Sequence, residues 1–539
     1  MKPISTSIYT FEELINLHYV YVDKTKYLYE MIRNGKNQFF CARPRRFGKS
    51  LTISTLEAIC EGKRELFKGL YIDGTDYDWE TCPIIHIDFA RSDLRTISAM
   101  ESSLKNFIRR TAEKYDVTID DDTPANMFES LVTRLYQNTL KKVVILVDEY
   151  DKPIFEHLEN ARDAGAYRDY LAGFYQIIKG TERYLRFVFI TGVTRFAKVS
   201  IFSKLNNLDD ISMDSRYATM MGYTQKELET SFGEYIDDAV SCGVKESDGT
   251  KINRDDFLSK IKKWYDGFCF VVGEPSVYNP VSVGQFFLHG YDFVNYWFAT
   301  GTPTFLMKLL RKNHIVLSDL IERTVSESSF ETFSLAELGG FSSGDERVTQ
   351  LLLQTGYLTM DRLLWSDPEK VYLLRFPNHE VSYSFARNLF MAYAPDASAS
   401  DDSTRVRIAA MNGDTSRMME SLKGFFASLP YDIQVKTEKY YQSIAFTVFR
   451  MCGFDIKMEM ATNIGRIDGV LDAGRHLYVM EFKLNKSAEA ALAQIDERGY
   501  AEQFIVAAHE KGKTVHALGV NFSYADGERN ITDWKEKIV

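Results

Sequence analysis

Two groups of residues in this 539-residue chain have the types and spacing of catalytic sites. The first begins with RPRRFGKS, Arg43 to Ser50, and continues with VVILVDEYD, Val143 to Asp151, and TGVTRF from Thr191. A Gly-Lys-Ser step opening a helix suits a phosphate, because free backbone N–H groups and the positive end of the helix dipole face its oxygens. Gly48 lets the backbone approach closely, Lys49 sets a point charge on the β- and γ-phosphates, and Ser50 offers a hydroxyl to Mg²⁺. Arg45, Arg46, Phe47 and Leu51 complete the expected ATP-binding stretch. Asp148, ending an apolar strand, is placed to hold Mg²⁺ through water, and Glu149 to polarise the attacking water. Thr191 is a candidate γ-phosphate sensor from a neighbouring strand. Arg195 is a candidate for stabilising transition-state charge, in cis or toward a neighbouring copy in a homo-oligomer; a structural ion pair is the equal alternative. Arg43 stands where the GxxxxGK[ST] loop has Gly, so a basic surface turn remains open for this segment.

The second group lies near the C-terminus. Gly465–Leu471 (GRIDGVL) and His476–Leu484 (HLYVMEFKL) are apolar runs separated by the turn-like Asp472-Ala473-Gly474-Arg475, the pattern of a β-hairpin. Glu481 and Lys483 are two apart and share a strand face, while Asp468 sits on the adjacent strand. Two acids and a lysine so placed can hold Mg²⁺, or Mn²⁺, beside a scissile phosphate, with Asp468 and Glu481 as metal ligands. Glu438, opening a helix ahead of the hairpin, could add a metal contact. Gln494, in the following helix, could touch the site or the substrate backbone. A structural Glu481–Lys483 ion pair beside a turn Asp is the alternative. Dispersed cations (Lys436, Lys439, Lys457, Arg466, Lys483 and Lys486) would have to supply any grip on nucleic acid.

The elements that must position these residues can be read from the pattern. Gln38–Ala42, Ile84–Phe89, Val143–Val147 and Phe187–Ile190 are unbroken apolar runs, as expected of parallel strands buried on both faces, and Ser50–Cys60 reads as a helix. Beyond Gly222 the β signal fades. Thr224 and Glu227 form a capping-box pattern, and a largely helical stretch runs to about residue 400. The small, polar run Asp396–Arg405 is the best linker candidate. The tail turns helical, then strand-rich around 455–484, then helical again at Ser487–Phe504.

Composition excludes several classes. Hydrophobic residues make up 45% and charged residues 26%, so the chain is neither disordered nor fibrous. A net charge of −10 excludes a uniformly basic coat but allows a local basic groove. The six cysteines are scattered, without CxxC, which points to reduced core thiols in a cytoplasmic protein. No apolar stretch approaches the length of a membrane span, so no membrane association is expected.

RPRRFGKS followed by LTISTLEAICEGKRELFKGLYI, then VDEYDKPI, then ITGVTRFAKVSIFSKLNNLDDIS, resembles the bacterial and archaeal AAA-ATPase-like family, usually joined to a C-terminal PD-(D/E)XK nuclease-like domain. WYDGFCF, VYNPVSV and FPNHEV look like its lid and connector segments, so the resemblance covers nearly the whole chain. The family itself carries RPRRFGKS at this place, and Asp468, Glu481-x-Lys483 and Gln494 match the PD-(D/E)XK order and spacing. The resemblance implies an α/β chain. Residues 1–220 would be a P-loop NTPase core with a parallel sheet, 221–290 a helical lid, 291–400 a mainly helical connector and 401–539 a restriction-endonuclease-like α/β/α domain. It also implies ATP and Mg²⁺ as cofactors and nucleic acid, DNA first, as partner. A nucleotide-driven switch that binds nucleic acid or protein without cutting it is the alternative.

Overall fold

The structure, a computed structural model, describes residues 1–33, 38–195, 201, 207–244, 251–297, 306–307, 310, 320, 323–327, 346–393, 399–429, 434, 436–462, 465–525 and 529–539. The chain divides into two compact units. The first holds residues 1–300, 322–341 and 345–378; the second holds 301–321, 342–344 and 379–539.

In the first unit, β1 (Gln38–Ala42), β2 (Ile84–Asp88), β3 (Val143–Asp148), β4 (Leu185–Gly192) and the short β5 (Asp209–Asp210) form a parallel sheet in the order β2-β3-β4-β1-β5. Every residue of β1 and β3 is buried, which is why they read as continuous apolar runs. β4 lies between the strand that feeds the phosphate loop and the strand that ends in the acids. Its Cys41↔Thr191 and Val147↔Ile190 pairings bring both to one sheet edge. Helices Ile97–Lys114 and Pro124–Thr139 start where the Thr96 and Thr123 side chains accept first-turn N–H groups.

The segment 221–290 belongs to this unit. Its helix Gln225–Ser231 opens on a complete Thr224/Glu227 capping box. Leu228, Phe232, Ile236, Phe257, Ile261, Tyr265 and Phe286 share one buried cluster. The Arg254–Tyr265 helix stops at Asp266. There Gly267 turns the chain at φ +101°, where an added Cβ would lie 2.1 Å from the Pro377 carbonyl oxygen. Within 291–400 the pattern indicated mainly helix. Helices Glu346–Gln354 and His379–Tyr393 are present, but so is a three-stranded antiparallel sheet of β6 (Thr324–Ser326), β7 (Thr359–Trp365) and β8 (Val371–Arg375). It escaped the pattern because Asp361–Trp365 are all exposed, so polar and apolar residues do not alternate along β7.

In the second unit, β9 (Asp455–Thr462), β10 (Gly465–Asp472), β11 (His476–Leu484), β12 (Thr514–Phe522) and β13 (Ile531–Ile538) form a sheet in the order β13-β12-β11-β10-β9. All neighbours are antiparallel except β11 and β12, which are parallel from His476↔Thr514 to Leu484↔Phe522. One face packs the Ala488–Glu497 helix so closely that a Cβ on Gly519 would lie 2.4 Å from the Ala488 carbonyl oxygen. On the other face, Phe426 and Tyr441, from helices Thr415–Ala427 and Glu438–Met451, pack at a tilt against Phe522. Helices therefore cover both faces. The expected linker 396–405 is corrected over its described part, since Ala399–Met411 form a helix. Its Ser, Asp and Thr residues resemble linker composition, but buried Val406, Ala409 and Ala410 give the helix an apolar stripe. All six cysteines are free. Among the described residues no helix is long and apolar enough to cross a membrane.

Candidate active sites

The phosphate loop sits between β1 and the Lys49–Cys60 helix. Gly48 precedes that helix at φ +93°, with open space where a Cβ would stand and no side chain capping the first turn. Those uncapped N–H groups fit a phosphate. Lys49 is 5% exposed, and its ammonium donates to the Arg43 and Pro44 carbonyls at 3.2 and 3.1 Å. Ser50 Oγ donates to Asp148 Oδ2 at 2.6 Å, so the two residues that would hold Mg²⁺ already touch. Burial pushes the Asp148 carboxyl up, opposed by the Ser50 hydrogen bond and Lys49 and reinforced by Glu149 and Asp88. Glu149 follows at φ +54°, a left-handed conformation a non-glycine residue rarely adopts, which turns its side chain out of the strand's alternation.

Arg43 is not part of a surface turn. It is 1% exposed, and its guanidinium donates to the carbonyls of Ala42, Ser212 and Tyr217 while lying 4.2 Å above the Phe270 ring. A glycine could not tie β1 to the segment after β5 in this way. Arg46 also has positive φ, at +69°, and donates to the Tyr296 carbonyl. Arg45 lies over the Phe155 ring, and Phe47 is buried edge-on against Phe268 and Phe270. Leu51 is half-buried in the first helical turn.

Two expected roles meet a different arrangement. The buried Thr191 hydroxyl donates to the Cys41 carbonyl at 2.7 Å, so its proton is committed to β1. Arg195 donates through Nε and Nη2 to Asp210 Oδ2 at 3.1 and 3.0 Å, with the two side chains 19% and 9% exposed. The geometry is that of the ion-pair alternative. Sequence reasoning missed Asp151. It is wholly buried and accepts from the Val193 and Thr194 N–H groups and the Thr194 hydroxyl, clamping the turn after β4. The second acid of a D-x-x-D run could have flagged it.

The second site is built on the hairpin. The β10–β11 ladder ends at Gly469↔Met480, and Asp468 Oδ2 accepts the next β11 N–H, that of Phe482, at 2.8 Å. Asp468 thus turns toward the strand that carries Glu481. Glu481 is 2% exposed; its Oε1 accepts from Lys483 Nζ at 2.8 Å and from the Gln494 amide. Its Oε2 is buried with no hydrogen-bond partner. Burial pushes the Glu481 carboxyl up to about 7, the Asp468 charge adds to this, and Lys483 opposes it. Burial would lower Lys483, but the Glu481 hydrogen bond and charge outweigh it, so the ammonium is held above its ordinary value.

An orphaned, buried carboxylate oxygen beside a second acid fits a hard divalent cation. Mg²⁺ is commonly held by one or two carboxylates and keeps several waters. Among the described residues no cluster of three or more His, Cys, Asp or Glu is arranged to hold a metal. Glu438 Oε2 accepts the Leu484 N–H at 3.0 Å, capping the end of β11, and the Glu438 charge adds to the upward push on Glu481 and Lys483. Gln494 reaches the site as expected.

The predicted AAA-ATPase family matches residues 5–202, and the PD-(D/E)XK nuclease superfamily matches residues 436–534. An uncharacterized protein in the vnfD 5′ region of Azotobacter chroococcum mcd 1 is 33% identical over 514 residues, spanning 94% of this chain and 93% of its own. This chain belongs to the AAA-ATPase-like family with a C-terminal PD-(D/E)XK domain. Among solved structures, the Aeropyrum pernix ORC2 protein, in ADPNP–ADP complexes, covers 68% of this chain and 92% of its own at 12% identity and a TM-score of 0.25. A likeness that loose carries no argument. In this AAA-ATPase-like protein the phosphate loop and the DE pair fall inside the first match, and all five residues of the hairpin site fall inside the second.

Proposed function

We propose that this protein hydrolyses ATP at the phosphate-loop site and uses that cycle to govern a Mg²⁺- or Mn²⁺-dependent nuclease acting on nucleic acid, DNA first, in the cytoplasm. The observation that carries the nuclease reading is the unpartnered Glu481 Oε2, buried beside Asp468. A purely structural carboxylate would be costly to leave half-satisfied in the interior.

In the ATPase unit, Lys49 and the first-turn N–H groups hold the phosphates, Ser50 and Asp148 hold the metal, and Glu149 takes the proton of the attacking water. In the nuclease unit, Asp468 and Glu481 hold the divalent ion. When bound, that ion supplies Lewis-acid stabilisation of the charge on a phosphoryl oxygen and lowers the pKa of water. Lys483, bonded to Glu481, stands beside the ion as a fixed positive charge. Gln494 keeps Glu481 Oε1 oriented so that Oε2 points into the site.

A second reading draws on the same contacts. Because Glu481 Oε1 is already taken by Lys483 and Gln494, the cluster also suits a domain that binds nucleic acid or protein without cutting. Cleavage of plasmid and single-stranded DNA with Mg²⁺ or Mn²⁺, with and without ATP, separates the two. Metal-dependent nicking absent from Glu481→Ala supports the nuclease. Binding with no nicking under any condition supports the switch.

A further inference from the structure

Glu149 stands at φ +54°, and a residue with a side chain stays in that left-handed region only where its surroundings over-determine it. Its own N–H donates to Asp148 Oδ1 at 2.9 Å. The remaining bonds come from the next two residues. The Tyr150 N–H donates to the Thr191 carbonyl at 3.1 Å, and the Tyr150 hydroxyl donates to the Thr194 carbonyl at 2.8 Å. Asp151 is thereby carried against the turn that follows β4. Its carboxylate accepts the Val193 N–H at 3.2 Å, the Thr194 N–H at 2.7 Å and the Thr194 hydroxyl at 2.5 Å. The two segments approach so closely that a Cβ on Gly192 would lie 2.4 Å from Asp151 Oδ1 and 2.5 Å from the Tyr150 ring. Glu149 is pinned from both sides, and most of the bonds that follow it in the chain pass through Asp151.

We propose that Asp151 is a positioning residue for ATP hydrolysis: by clamping the Val193–Thr194 turn, it holds Glu149 in the left-handed conformation from which the Glu149 carboxylate meets the attacking water. The proposal rests on the ATPase reading above and adds to it the group that fixes the base. Asp151 acts through Glu149, while the phosphates stay with Lys49 and the first-turn N–H groups. Its loss should therefore slow turnover and leave nucleotide affinity alone, the signature of an interaction that serves only the transition state.

The test uses full-length protein, phosphate release from ATP with Mg²⁺, and ADP affinity by calorimetry. Asp151→Asn keeps the size but turns an NH₂ group toward donors that need an acceptor. It is expected to lower kcat by about tenfold or more, with KM for ATP and ADP affinity within about twofold of wild type. In the Glu149→Gln background the same substitution should add less than about twofold, because both act on one step. Thr194→Val removes only the hydroxyl donor and should give a milder slowing with the same split; it carries the test if Asp151→Asn does not fold, which melting of each variant reads. Wild-type kcat in the folded variants overturns this inference and leaves the ATPase reading standing. So does a slowing by Asp151→Asn that multiplies in full with that of Glu149→Gln, because Asp151 would then act elsewhere. A tenfold loss of ADP affinity also overturns it, since the clamp would then support the whole phosphate loop. No ATP turnover by the wild type overturns both.

Discussion

The phosphate-loop site and the hairpin site both combine acids with a lysine, yet they differ in how fully those groups are satisfied. In the first, Lys49 is bonded to two carbonyls, Ser50 to Asp148, and Asp151 to three donors. In the second, Glu481 keeps one buried oxygen without a partner, and its carboxyl is pushed up to about 7. Where backbone N–H groups are left open to meet a phosphate, the side chains around them can already be satisfied before it arrives. A carboxylate that must be a ligand itself cannot be, so strain collects on the acid.

The sharpest way to break this comparison is to remove one acid of the hairpin. Asp468→Ala and Glu481→Ala should each lower metal-dependent cleavage by about a thousandfold, the scale of several kcal/mol of metal-borne stabilisation. ATP hydrolysis should stay near wild type, read on the same preparations by phosphate release. If both activities fall together, the two sites are not separable as drawn.

Next in size, Glu149→Gln keeps the shape but loses the base. It should bind ATP and hydrolyse it about a hundredfold more slowly. Lys49→Ala should instead weaken ATP binding itself, measured by calorimetry. Equal turnover in wild type and Glu149→Gln would remove Glu149 from the chemistry.

The pH dependence sharpens the contrast further. A metal ion must displace the Glu481 proton below about pH 7, so apparent Mn²⁺ affinity at this site should fall about tenfold per unit there, and this slope should vanish in Glu481→Gln. In metal-free protein the sign reverses. A carboxyl raised on folding contributes its stability fully below its ordinary value near 4.5 and loses it as pH rises through about 7. Melting in EDTA should therefore come earlier at pH 8 than at pH 5.5, by more in wild type than in Glu481→Gln.

The smallest effect concerns Arg195. Breaking its partly buried pair with Asp210 should cost about 2 kcal/mol, a melting point lower by a few degrees, with ATP turnover little changed. A loss of a hundredfold or more in turnover at an unchanged melting point would instead put Arg195 on the phosphates.

These sites were unequally legible. The GKS loop, the DE pair and the D…ExK…Q series are local and chemically distinctive, and the apolar runs Val143–Val147 and His476–Leu484 announce the strands that carry them. Arg195 and Asp210 were opaque, because β5 is two residues long and leaves no period to recognise. Arg43 looked like surface because nothing local reveals that its fork reaches carbonyls as far away as Ser212 and Tyr217. Glu438 was half-legible, because an acid opening a helix suits either a metal or a strand end, and the Leu484 N–H that its Oε2 accepts lies far along the chain.

The parallel pairing of β11 with β12 has a consequence for how the protein is made. Parallel neighbours cannot be joined by a tight turn, so the chain between them must cross over, and the Ala488–Glu497 helix that carries Gln494 lies in that crossover. The helix comes closest to the sheet at Gly519, in β12. On the ribosome, Asp468, Glu481 and Lys483 therefore emerge before the strand that seats Gln494 against them. Synthesis runs at about 5–20 residues per second and domains fold as units, so the close seat at Gly519 is still missing when the acids and Gln494 are already made. A chain truncated before β12 would carry Asp468, Glu481, Lys483 and Gln494 without the strand on which the Gln494 helix packs most closely.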